Sequence, residues 1–306
     1  MKMPVLIIGY LRPQNVSSLL EICYKDQRRT FIFIDFCSNS NYRLNLEVLF
    51  IANFYSSKMD LTIKFCDSNI GVKSAVKVAT SWAFQFVDNL IVLEDDSKLN
   101  DYSLSFFDEN IYKLEGNIML ISGRSPREAP STENCKFSQA LHNVSFPMTN
   151  GWATTQVAWS ILSVKRDSNE IFKRIFRIQP IGKCKRRVMH FFTAGVMNYN
   201  RKKGKSCWDS LVAYNLLLSG GKCIVPNVNS VGNNGLDLVA SNTHKSNLFL
   251  NNDYISISPD SPSKIHCNSQ ACDLGISNYI ALHIYGIRLK HIFSPFKAYC
   301  NLIFDP

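Results

Sequence analysis

The sequence predicts an α/β protein built on a mostly parallel central sheet flanked by helices. Three observations predict it. Over residues 1–100, apolar runs of strand length alternate with amphipathic stretches of helix length, the pattern of a parallel sheet with helical crossovers. The apolar runs are continuous rather than alternating, which suits strands buried on both faces. The polar residues that follow three of these runs are Arg12, Asp35 and the triplet Glu94-Asp95-Asp96. They fall on one edge of such a sheet, the edge where open α/β sheets bind ligands.

Taken in order, residues 4–10 form a first buried strand, and residues 15–24 a helix with Val16, Leu19, Leu20 and Cys23 on its apolar face. Residues 30–36 form a second strand with Asp35 at its carboxyl end, and residues 42–55 a second helix. A third strand covers 61–66, and a polar loop over 67–73 leads into a helix over 74–86. The fourth strand begins at Asn89 and runs into the three acids. Beyond it, the pattern predicts a helix over 103–114, a short strand over 118–122 and a long polar loop over 124–146. The motif Gly151-Trp152-Ala153-Thr154 comes next. A helix over 209–218 stops at Gly220-Gly221, a glycine stop of the usual kind. A last short strand covers 222–226.

The chain has 306 residues, enough for one large α/β domain or two small ones. Hydrophobic residues make up 46% and charged residues 19%, which permits a real core and excludes global disorder. The formal net charge of +10 favours polyanionic neighbours. No run reaches the roughly 18 apolar residues that would span a bilayer. The N-terminus lacks a signal-peptide pattern, so a cytoplasmic protein, soluble or peripheral on the inner face of the cell membrane, is expected. Ten cysteines contain no C-x-x-C pair. They read as reduced thiols in a cytosolic setting, and the pair Cys267 and Cys272 is weak support for zinc. Basic runs at 183–187 and 201–205 suit a solvated face, or contact with phosphates of a lipid-linked acceptor. Residues 276–304 alternate apolar and basic side chains. That pattern suits an interfacial helix on an anionic membrane and a packed amphipathic helix equally well.

An unpaired buried charge is costly, so the three acids are expected just past the end of their strand. Carboxylates clustered there attract a hard cation, Mg²⁺ or Mn²⁺, and would hold it against a diphosphate. The ordinary alternative is a set of solvated loop charges. The first strand is followed by neither G-x-G-x-x-G nor a G-K-[ST] loop, which leaves a diphosphate to the metal.

The residues Leu93-Glu94-Asp95-Asp96, Gly151-Trp152-Ala153-Thr154 and Cys207-Trp208-Asp209 together resemble the nucleotide-sugar glycosyltransferases of the GT-A fold. They are most similar to a bacterial polysaccharide group that itself resembles the N-acetylglucosaminyltransferase initiating complex N-glycans. The resemblance covers residues 4–244. It implies a glycosyltransferase domain over 1–245, with a nucleotide-binding half over 1–100 and an acceptor and catalytic half over 101–245. A C-terminal extension over 246–306 has no counterpart and is a candidate for membrane association.

By this resemblance Asp96 is the principal metal ligand, Asp95 lies near ribose and metal, and Glu94 lies near the donor sugar. Arg12 and Asp35 lie beside the nucleotide. Gly151 and Trp152 shape the sugar and acceptor cleft. Asp209 is the general base of an inverting mechanism, and His244 completes the metal shell. Ser210 departs from the acid or aromatic that often follows the base. Each residue also has a plainer reading: Asp209 as a helix-start charge, Trp152 as a half-buried core aromatic, and His244 as a surface residue.

The implied activity is metal-dependent transfer from a nucleoside diphosphate sugar, with UDP-sugars first among the donors. The implied acceptor is a glycan or lipid-linked acceptor in surface polysaccharide (O-antigen or capsule) synthesis. A sugar nucleotidyltransferase is the alternative enzyme, but it calls for a glycine-rich loop that Gly9-Tyr10-Leu11-Arg12-Pro13 does not provide. A basic RNA-binding protein is the non-enzymatic alternative. The aromatics do not interleave with the basic runs as a stacking platform needs, so nucleic acid is not an expected partner.

Overall fold

In a computed structural model, residues 2–37, 40–125, 141–164, 208–226 and 229–233 are described. His244, the basic runs 183–187 and 201–205, the pair Cys267 and Cys272, and the extension 246–306 lie outside them.

The first four strands are β1 (Val5–Gly9), β2 (Thr30–Ile34), β3 (Leu61–Phe65) and β4 (Asn89–Glu94). They alternate with helices α1 (Pro13–Lys25), α2 (Tyr42–Ser56) and α3 (Gly71–Ala83). After β4 come β5 (Ser97–Leu99), α4 (Ser103–Asn110), a short 3₁₀ turn (Ile111–Lys113) and β6 (Ile118–Ser122). Then follow β7 (Leu141–Val144), β8 (Trp152–Thr155), α5 (Gln156–Leu162), α6 (Trp208–Leu218), β9 (Lys222–Pro226) and β10 (Val231–Asn233).

Eight strands form one sheet in the order β3-β2-β1-β4-β8-β6-β9-β7. β1 pairs in parallel with both β2 and β4. β8 and β7 run against the rest, each antiparallel to its neighbours. The arrangement is a Rossmann-like α/β fold, and its sheet runs unbroken across both halves of the chain. All five residues of β1 and of β2 are buried, as continuous apolar runs require.

Successive side chains of each strand point to opposite faces, and the core divides accordingly. Leu6, Ile8, Phe31, Phe33, Leu90 and Val92 pack with α3, α5 and α6 on one face. Val5, Ile7, Ile32, Ile34, Ile91 and Leu93 pack with α1, α2 and α4 on the other. The free thiols of Cys23 and Cys223 are core groups, pushed up by burial to about 11 and about 12. Among the described residues no helix is long and apolar enough to cross a membrane.

Three expectations are corrected. The loop expected over 124–146 contains β7, whose polar His142 and Asn143 hide a strand that β9 pairs with. The strand over 222–226 is not the last, because β10 follows and pairs antiparallel with β5. α3 starts at Gly71, not at residue 74. The carboxylate of Asp35 accepts hydrogen bonds from the backbone N–H groups of Ile70 and Gly71 at 3.0 Å each. It satisfies donors that a helix start leaves open, and it comes from another strand. Gly71 has φ +74°, which favours glycine there.

At the opposite edge of the sheet, Arg28 is buried between two carboxylates. It donates to Asp108 at 2.7 and 2.8 Å, to Asp26 at 2.5 and 2.8 Å, and to the carbonyl of Met3 at 2.7 Å. Burial pushes the Asp26 carboxyl up, but hydrogen bonds from Lys2 and Arg28 outweigh it and leave it below its ordinary value. Arg28→Ala leaves Asp108 with the Met3 N–H as its donor and takes the guanidinium donor from the Met3 carbonyl. It is expected to cost about 3–5 kcal/mol in a urea titration. Because the Asp26 carboxyl is depressed in the fold, its contribution is present above its unfolded-state value, near 4. It is lost as pH falls through the lower folded value.

Candidate functional site

From β1 the chain passes through α1 to β2 on one side, and later through α3 to β4 on the other side. The crevice between the carboxyl ends of β1 and β4 is therefore the point where strand order reverses, the standard ligand position of such sheets. Arg12 lies at one lip and Glu94-Asp95-Asp96 at the other.

The three acids are not free of the strand. Glu94 is the last residue of β4, and Asp95 and Asp96 make the turn into β5. Glu94 N–H donates to the hydroxyl of Ser97 at 3.1 Å, which tightens that turn. Asp95 is buried, and both of its carboxylate oxygens are engaged. One accepts from Tyr10 N–H at 2.9 Å and Leu11 N–H at 3.3 Å, the other from Arg12 Nη1 at 2.8 Å. Its N–H donates to the Ile8 carbonyl and its carbonyl accepts from Asn15 Nδ2, both at 3.0 Å. Asp95 thus builds the loop between β1 and α1 from across the crevice.

Asp35 stands at the end of β2, with its carboxylate on α3 and on Phe36 N–H. Asn45, fully buried on α2, ties the carboxyl end of β1 to that of β2. Its Nδ2 donates to the carbonyls of Tyr10 and Asp35 at 2.9 Å each, and its Oδ1 accepts from Cys37 N–H at 3.2 Å. The sequence reading missed Asn45. Its signal is a lone amide on the buried face that also carries Val48, Ala52 and Tyr55.

Asp209 arrives from far along the chain, in the first turn of α6. Burial pushes its carboxyl up, against hydrogen bonds from Ser210. Burial and then the charges of Asp96, Asp95 and Asp209 push Glu94 well up, with Arg12 opposing. Burial and the charge of Asp95 push Asp96 up, while Arg12 and a hydrogen bond from Asn233 pull it down. Asn233 faces Ser97 across the β5–β10 pairing; it too was not foreseen. Glu94, Asp95, Asp96 and Asp209 are all pushed up by burial, with Arg12 opposing for the first three, so burial disfavours their charged forms.

Such carboxylates fit a divalent cation. Among the described residues, no group of three or more His, Cys, Asp or Glu side chains is set to hold a metal ion by itself. Asp95 is committed to the β1–α1 loop, whereas the Asp96 carboxylate accepts a hydrogen bond from Asn233.

Gly151 and Trp152 were expected to shape the sugar and acceptor cleft, and the structure places both in the interior. Trp152 is 1% exposed, packed between Trp159 and Trp208 with ring centroids 5.5 and 5.6 Å away. It is a core residue that backs Trp208, and through it the first turn of α6. Gly151 has φ +63°, and a Cβ there would meet Val231 Cγ1 at 2.7 Å. It lets β10 come close, helped by the Gly123 carbonyl accepting from Val231 N–H at 2.9 Å.

No protein-family model matches the chain. No curated protein matches it. Among solved structures, one that the chain is similar to is described as a glucose-1-phosphate thymidylyltransferase from Bacillus anthracis, in complex with sucrose. The identity is 12%, the TM-score 0.28, and the match covers 58% of this chain and 76% of that one.

Proposed function

We propose that the chain is a metal-dependent, inverting glycosyltransferase of the GT-A type. It would move a sugar from a nucleoside diphosphate sugar, UDP-sugars first, to a glycan or lipid-linked acceptor in surface polysaccharide synthesis at the cytoplasmic face of the membrane. The observation that supports this reading is that Asp209, in the first turn of α6, comes near enough for its charge to act on Glu94, the first acid of the triplet. Residues more than a hundred positions apart supply a cation-seeking acid cluster and a separate carboxylate.

Asp96, with His244 as implied by the resemblance, would hold Mn²⁺ or Mg²⁺, which supplies positive charge to the departing diphosphate. Arg12 adds a second positive charge at the same lip. Glu94 faces the donor sugar. Asp95 ties the two lips together, and Asn45 holds the ends of β1 and β2 beside them. Asp209 takes the proton of the acceptor hydroxyl. As it does so, the acceptor oxygen bonds to the anomeric carbon, and the bond to the diphosphate breaks with its electron pair leaving on the diphosphate oxygen. A carboxyl raised by burial holds that proton better than an ordinary one, which favours the base role.

The test is nucleotide release from a panel of UDP-, GDP-, CMP- and dTDP-sugars, with Mn²⁺ or with EDTA. EDTA-sensitive release from one donor is expected. No release from any donor, together with no calorimetric binding of any of the four nucleotides with Mn²⁺, overturns the reading. Release of diphosphate from a nucleoside triphosphate and a sugar 1-phosphate would make the protein a nucleotidyltransferase instead.

A further inference from the structure

The ladder between β1 and β2 ends where Asp35 N–H donates to the Gly9 carbonyl at 3.2 Å. Beyond that point the side chain of Asn45 takes over. Its amide nitrogen carries two N–H groups, and it donates to the carbonyls of Tyr10 and Asp35 at 2.9 Å each. Its oxygen accepts from Cys37 N–H at 3.2 Å. Two peptide groups are thereby held at both ends. In the Tyr10–Leu11 peptide the carbonyl accepts from Asn45, and the N–H donates to Asp95 at 3.3 Å. In the Asp35–Phe36 peptide the carbonyl accepts from Asn45, and the N–H donates to the Asp35 carboxylate at 3.0 Å. In each, the oxygen is turned to α2 and the N–H to an acid.

We infer that Asn45 is a positioning residue for the donor nucleotide, acting through the Tyr10–Leu11 peptide on Arg12. This inference rests on the proposed function and deepens it. A peptide group is a rigid plane that turns only about its two flanking dihedrals. Held at both ends, it turns only by breaking a buried hydrogen bond, which leaves a polar group unsatisfied. Arg12 follows Leu11 directly, so the plane sets the direction in which Arg12 leaves the strand and brings its Nη1 to Asp95 at 2.8 Å. Without Asn45 the Tyr10 carbonyl is released. Turned toward the crevice, it would set an acceptor oxygen beside the acid triplet and against an incoming diphosphate, and it would draw Arg12 from its place.

The residue type fits the role. An aspartate at this position would keep the acceptor for Cys37 and lose both donors, and a leucine would lose all three bonds. A cation would bring a charge into a fully buried place. The geometry also separates binding from chemistry. Among the described residues, the Asn45 side chain bonds to the ends of β1 and β2, whereas Asp96 follows β4 and Asp209 opens α6. Loss of Asn45 therefore acts on the affinity for the donor and not on the transfer step.

The test is calorimetry of the full chain with Mn²⁺ and whichever of UDP, GDP, CMP and dTDP the wild type binds, well below every Tm. Single-turnover transfer at saturating donor is measured beside it. Asn45→Ala is expected to bind the nucleotide about 10–100-fold more weakly, as the loss of a supporting hydrogen-bond partner does. Its single-turnover rate should stay within about threefold of the wild type. Val48→Ala is the control, because Val48 lies on the same buried face of α2 and its loss loosens the core without touching a hydrogen bond. It should bind as the wild type does. Binding by Asn45→Ala at wild-type strength overturns the inference. So does an equal weakening in Val48→Ala, which would make the effect a general loosening of α2, and so does a slowed transfer with binding intact. If Asn45→Ala does not fold, Asn45→Ser takes its place, since its hydroxyl still donates to one carbonyl. Failure of both to fold makes Asn45 a residue of the fold alone and overturns the inference. A wild type that binds none of the four nucleotides fails the proposed function itself, and the inference with it.

Discussion

Asp96→Ala is expected to abolish EDTA-sensitive nucleotide release, lowering kcat/KM by about 10³-fold or more, the scale of losing a cation from a developing diphosphate. The fold should survive. Burial and the charge of Asp95 already push the Asp96 carboxyl up, so its charged form is a burden on the unliganded protein, and removing it relieves repulsion. The Tm without metal should be unchanged or higher. Adding Mn²⁺ with UDP should raise the Tm of the wild type, since a ligand at 100 times its Kd stabilises by about 2.7 kcal/mol. It should leave the variant where it was. A well-folded Asp96→Ala protein with full activity would remove the metal role from Asp96. A loss of activity with Mn²⁺ binding intact would move that role to another acid of the triplet.

Asp209→Asn is expected to lower kcat by about 10²–10⁴-fold, the range of a positioned general base, with nucleotide binding nearly unchanged. The substitution keeps the shape, and an amide oxygen still accepts from Ser210 N–H, now 2.7 Å from the Asp209 carboxylate. What it removes is the proton acceptor and one of the charges that push Glu94 up. The Tm should therefore hold or rise, a stability gain at the expense of activity typical of such sites. The measurement is single-turnover transfer at saturating donor, which separates chemistry from binding. A rate within tenfold of the wild type would leave Asp209 as no more than a charge at the start of α6. A weaker KM with kcat intact would make it a binding group.

The layout of the first half could be read from the chain because its determinants are local. Short continuous runs rich in β-branched residues, such as Ile91-Val92-Leu93, suit strands buried on both faces, and the residue after each run then lies at the sheet's edge. Arg12, Asp35 and the acids follow from that alone. The second half was harder to read. β7 looks polar and is a strand only because β9 offers it hydrogen-bonding partners. β10 is three residues long and exists through its pairing with β5. Trp152 carries the motif and is buried in the core. A tryptophan beside a glycine looks the same in a pocket and in a core, and only Trp159 and Trp208 decide between them.

By itself, then, the sequence determined the four parallel strands of the first half to within two residues, though not β5, and that carboxylates gather at one edge of a parallel sheet. The tertiary structure decided what each acid does there. Asp95 turns inward because Tyr10, Leu11 and Arg12 bring their donors to it from more than eighty residues away. Asp35 becomes the start of α3 for the same reason. It also decided which side of α2 the core takes and which it leaves to solvent. Periodicity marks both sides as apolar, and only the sheet, by packing against Val48 and Ala52, sets one of them apart.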